Sequence, residues 1–165
     1  MEPAKYGDGA PELDASSFDL GKWVEGITPA RHAVTVYARG DLFASLDVVQ
    51  ARLQQAKIAR DYAAVKELRE QAAGILDVLE ASSVDVVVEG WSQDRIEAFR
   101  KPLEDQGLPA DEVSMRQVAA QVVEPTGFTA DMLRRMYDVV SPQANAVTQA
   151  VLNANSLVPV VSIPS

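Results

Sequence analysis

Residues 33–38 alternate in character. Val34, Val36 and Ala38 fall on one side, Thr35 and Tyr37 on the other, which is the two-residue period of a half-buried strand. Gly40 then permits a turn, and Asp41 is placed to cap the helix that follows. In that helix Leu42, Leu46, Val49 and Leu53 recur as one apolar stripe, with Asp47, Gln50, Arg52, Gln54 and Gln55 outside it. The stripe breaks over residues 57–61. It resumes as Val65, Leu68, Ala72, Ile75 and Leu79, with Asp61 as the cap. Two stripes of matching length joined by a short break predict an antiparallel helical hairpin. At about 1.5 Å per residue each arm would be roughly 25 Å long.

Residues 84–89 form a second, β-branched strand, which Gly90 ends. Ser92 caps a helix carrying Ile96, Phe99 and Leu103, and Pro102 is expected to stop it near Lys101 or kink it. Asp111 opens another helix with Met115, Val118, Ala119 and Val122. Thr129 caps a third, bearing Met132, Leu133, Met136, Val139 and Val140. Ser141-Pro142 restarts the last, which carries Val147, Ala150, Val151 and Ala154. The order predicts an α+β, predominantly helical fold. A small two-stranded sheet brackets the antiparallel hairpin, and a cluster of about four helices follows. The expected organisation is a disordered acidic arm over residues 1–20, one mostly helical domain over 21–155 and a flexible tail over 156–165. The apolar end of the arm, Phe18 to Val24, is expected to dock on the body as an extended piece. Two strands alone are marginal in water, and an uncovered strand edge invites pairing with another chain.

Charge narrows the class of partner. The 165 residues hold 15 Lys and Arg against 24 Asp and Glu, a formal charge of −9. Such a chain repels nucleic acid and anionic membrane surfaces, so neither is expected as a partner. No apolar run approaches the roughly 20 residues of a membrane helix. Cysteine is absent and His32 is the single histidine. That excludes disulfides, cysteine nucleophiles and thiolate or multi-histidine metal sites. His32 lies at no motif spacing and reads as structural. Arg39-Gly40-Asp41 reads as a turn and a cap. Gly90-Trp91-Ser92-Gln93-Asp94 lacks the second glycine of a nucleophile elbow, and no phosphate-binding loop is present. The residues therefore point to no catalytic, cofactor-binding or metal-binding set, and an enzyme is not expected. The candidates for partner contact are Met132, Met136 and Val139, where methionine can adapt to varied surfaces, with Val147 and Val151 on the next helix.

Several segments together resemble a family of actinobacterial siphophage tail assembly chaperones. They are residues 34–42 (VTVYARGDL), the strand at 84–88, Trp91 with the helix from Arg95 to Leu103, Val122-Val123-Glu124-Pro125, and Val140-Ser141-Pro142-Gln143 before Asn153. The resemblance spans roughly residues 31–156. It implies a non-enzymatic protein of the host cytoplasm without cofactors. Such a protein binds the phage tape measure protein and aids recruitment of the major tail protein that forms the tube. The alternative is a structural virion component, a head–tail connector or tail completion protein, acting as an oligomeric adaptor.

Overall fold

The computed structural model describes residues 18–156. The rest of the expected acidic arm and the tail from residue 157 lie outside them. The elements are α1 (Leu20–Glu25), β1 (Arg31–Tyr37), α2 (Asp41–Ile58), α3 (Tyr62–Ala81), β2 (Ser83–Glu89), α4 (Gln93–Asp105), α5 (Ala110–Gln121), β3 (Val122–Glu124) and α6 (Ala130–Ser156). The architecture is α+β and predominantly helical, as the periodicity predicts. The sheet gains a third, very short strand, in the order β1-β2-β3, antiparallel throughout.

β1 and β2 pair in a continuous register from Arg31↔Glu89 to Tyr37↔Ser83. The hairpin of α2 and α3 is inserted where this ladder ends, and Ala38 N–H still donates to Ser82 O at 3.1 Å. The two predicted stripes meet in the hairpin seam, where Val49, Ala56, Val65 and Leu79 are buried. Arg60 at φ 54° makes the turn, and the Asp61 carboxylate accepts from Ala64 N–H at 3.1 Å. Asp41 does not cap α2. Gly40 holds the cap position without a side-chain bond, and the Asp41 carboxylate pairs with the Arg39 guanidinium at 2.9 Å.

The core lies between the sheet and α6. Val86 and Val88 face Leu133, Ala144, Val147, Val151 and Ala154, with Val34 and Val36 packed alongside. Ser92 and Thr129 cap their helices as expected, accepting from Arg95 N–H and Met132 N–H. Pro102 neither stops nor ends α4. It lies in the last turn with its ring exposed, and Gln106 N–H donates to its carbonyl at 3.2 Å. α6 leaves helical geometry at Val140 (φ −138°, ψ 54°), just before Ser141-Pro142. Its two halves thus correspond to the two helices read from the sequence, and Tyr137 Oη lies 2.6 Å from Thr148 Oγ1 across the kink. Among the described residues, no helix is long and apolar enough to cross a membrane.

Candidate partner-binding surface

Three apolar depressions gather around the hairpin and the sheet end it springs from. The first is a groove of about 430 Å³ along the hairpin seam, lined by Arg39, Leu42, Gln71, Gly74, Ile75 and Val78. Its α3 residues follow the i, i+3, i+4, i+7 spacing of one helix face. Gly74 forms an open floor, since a Cβ there would meet nothing within 4 Å.

The second groove, of about 520 Å³, lies where the hairpin base meets the helix-free face of the sheet. Tyr37, Phe43, Leu46, Leu76 and Leu79 form its apolar wall, while Glu80 and Asp85 stand at its rim. Tyr37 and Phe43 meet edge to face with ring centroids 5.4 Å apart, which fixes the first turn of α2 against β1. Thr35 Oγ1 and Asp85 Oδ1 lie 2.7 Å apart on the same face.

The third is a smaller notch of about 190 Å³ at the α6 kink, lined by Val36, Val84, Met136, Val140 and Gln143 among others. Of the contact candidates read from the sequence, Met136 lines this notch and also packs on the core. Met132 and Val139 are exposed. Val147 and Val151 are 0% and 1% exposed, so they cannot meet a partner, and this corrects the expectation for both. The helical stripe that made them conspicuous is the stripe that binds α6 to the sheet.

The apolar end of the expected arm departs from the reading. Residues Leu20–Glu25 are helical, not extended. The Asp19 carboxylate accepts from Lys22 N–H at 3.2 Å, and Gly26 closes the other end. Phe18, Leu20, Trp23, Val24 and Ile27 are all exposed, so this segment is not buried against the described body.

A buried amide chain escaped the sequence reading. Arg100 Nη1 donates to Gln117 Oε1 at 2.9 Å, and Gln117 Nε2 donates to Gln121 Oε1 at 3.1 Å. Gln121 Nε2 donates to Glu89 O at 2.9 Å, and Trp91 N–H donates to Asn155 Oδ1 at 2.9 Å. This chain ties α4, α5 and α6 to the end of β2. Isolated glutamines carry no periodic signal, so only their convergence in space marks them. His32 Nε2 is buried without a hydrogen-bond partner among the described residues. Among those residues no three His, Asp or Glu side chains come together as a metal site needs.

Among the described residues, four groups are shifted from their ordinary values, all in ion pairs at the surface. Hydrogen bonding to Arg39 holds Asp41 low, and the same contact raises Arg39. Hydrogen bonding to Arg116, reinforced by the charge of Arg134, holds Glu112 low. Asp131 and Glu112 raise Arg134.

No known protein family, curated protein or solved structure matches this chain.

Proposed function

We propose that this protein is a non-enzymatic binding protein that shelters apolar helical segments of another polypeptide. On this reading it works as a siphophage tail assembly chaperone. It holds the tape measure protein in the host cytoplasm and aids recruitment of the major tail protein. The open hairpin seam is the observation that carries the reading. Gln71, Gly74, Ile75 and Val78 leave a trough at helical spacing beside Leu42, and an amphipathic client helix carries anchors at the same spacing. Gly74 lets the client backbone approach closely. Met132 and Val139 on α6 offer further exposed apolar area. Burial stabilises such a complex by about 25 cal/mol per Å² before ordering costs. One short seam therefore gives weak, reversible binding, and many copies along one long client give avidity. The charge of −9 keeps a chain with greasy grooves soluble.

The test is co-purification with a tape measure fragment, repeated for Gly74→Trp, which fills the trough. Capture by the native chain and its loss in the variant support the reading. Stoichiometric copies in mature virions overturn it. They favour the second reading, a structural adaptor between head and tail, for which the uncovered apolar α1 is the supporting observation.

A further inference from the structure

We propose that β1 carries a self-complementary edge, and that the chain forms a two-fold dimer in which α1 of each copy fills the groove at the hairpin base of the other. The argument starts from which backbone groups face outward. Gly90 N–H donates to Ala30 O at 2.8 Å, and Ala38 N–H donates to Ser82 O at 3.1 Å. Alternation along the antiparallel ladder then turns His32, Val34 and Val36 toward β2. Arg31, Ala33, Thr35 and Tyr37 point their N–H and C=O groups to the open side. Tyr37 is already satisfied, because both its groups bond the Gln143 carboxamide. At the other end Pro29 has no N–H to offer. Among the described residues, the open edge is therefore the stretch Arg31, Ala33 and Thr35, bounded symmetrically about Ala33.

A second copy placed antiparallel across that edge, with the two-fold axis at Ala33, pairs Ala33 with Ala33 and Arg31 with Thr35. The ladder stops before Tyr37, whose two outward groups the Gln143 carboxamide already takes. Arg31, which pairs with Glu89 of its own copy, lies opposite Thr35 of the second copy, whose hydroxyl bonds Asp85. The result is a continuous six-stranded sheet, isologous as two-fold pairing requires.

Such a short ladder buries too little on its own, since a stable interface needs about 1,200 Å² or more. The arm supplies the difference. It leaves β1 at Pro29, near Tyr37 of the second copy, where the Gln143 carboxamide ends the open edge, and Tyr37 lines the hairpin-base groove. Phe18, Leu20, Trp23, Val24 and Ile27 are thus delivered to a wall of Phe43, Leu46 and Leu76. Buried aromatic side chains contribute about 150–250 Å² each. Lys22 on the arm meets the acidic rim of Glu80 and Asp85. This dimer does not use the hairpin seam assigned to a client.

Sedimentation velocity and amide exchange on the full chain test the proposal. The native chain sediments as a dimer, with exchange at Ala33 and Thr35 slowed as concentration rises. Ala33→Pro removes an outward N–H without touching the β1–β2 bonds and weakens the dimer about tenfold or more. Trp23→Ser, on a segment whose apolar side chains are exposed, does the same should Ala33→Pro fail to fold. A native chain that stays monomeric overturns the proposal. So does a dimer indifferent to both variants. So does protection of Ala33 and Thr35 in the monomer, which shows the edge to be closed within one chain.

Discussion

The carboxamide of Gln143 replaces a missing strand for Tyr37. Tyr37 N–H donates to Gln143 Oε1 at 2.6 Å, and Gln143 Nε2 donates to Tyr37 O at 3.0 Å. One side chain of α6 thereby closes the last open rung of β1 and fixes where the second half of that helix begins. Gln143→Ala leaves both backbone groups unpaired in a half-buried site, and a loss of about 1–3 kcal/mol is expected in urea unfolding. Gln143→Glu keeps an acceptor for Tyr37 N–H but turns a carboxylate oxygen toward Tyr37 O. Its defect is therefore expected at neutral pH and relieved once the carboxyl is protonated.

Gly90 allows α6 to approach the end of β2. A Cβ there would lie 2.2 Å from Ala154 O and 2.8 Å from its carbonyl carbon, both backbone atoms. Gly90→Ala must push the last turn of α6 away from the sheet and strain the Asn155 contact to Trp91 N–H. The expected cost is about 1–3 kcal/mol, read as a lower thermal midpoint and faster amide exchange at Trp91.

Gly74 behaves in the opposite way. It lies inside α3 with open space around it. Gly74→Ala is expected to stabilise the protein by about 0.5–1 kcal/mol, because alanine loses less conformational freedom in a helix. Client capture should fall only slightly with alanine and collapse with tryptophan. Equal losses in both variants would place the client elsewhere.

Glu112 links α5 to α6. Its carboxylate accepts from Arg116 Nε at 2.9 Å and pairs with Arg134 on α6. The folded protein holds Glu112 below its ordinary 4.5, chiefly through the bond to Arg116. Its contribution to stability is complete above the unfolded value and is lost as pH falls through the lowered folded one. Glu112→Gln should therefore unfold earlier than the native chain at neutral pH, with the gap closing in acid. Solvent screening keeps the gap modest. Urea midpoints at neutral and acid pH measure it.

The features legible in the sequence were those that repeat. The stripes of Leu42, Leu46, Val49 and Leu53, and of Val65, Leu68, Ala72, Ile75 and Leu79, recur often enough to declare a hairpin. The alternation over residues 33–38 and the Val-rich run at 84–88 declare strands. Caps at Asp61, Ser92 and Thr129 were legible because one short polar side chain decides each. β3 escaped because Val122–Glu124 is too short to complete two alternation cycles and follows directly on a helix. Pro102 misled because its missing donor matters little in a final, exposed turn. The same stripe logic that found the core also nominated Val147 and Val151 as a contact face. Periodicity tells which residues share a side of a helix, while only tertiary structure tells what that side meets. The seam floor at Gly74 left one trace, a glycine inside an otherwise strong helical run.

The helical hairpin enters and leaves the body at the two ends of a single rung, Tyr37 paired with Ser83. A finger mounted in this way is mechanically separable. Whole turns can be added to or removed from α2 and α3 in step without altering the spacing of its two attachment points. Its reach can therefore change while the platform beneath stays constant, so lengthening the finger needs no redesign of the core.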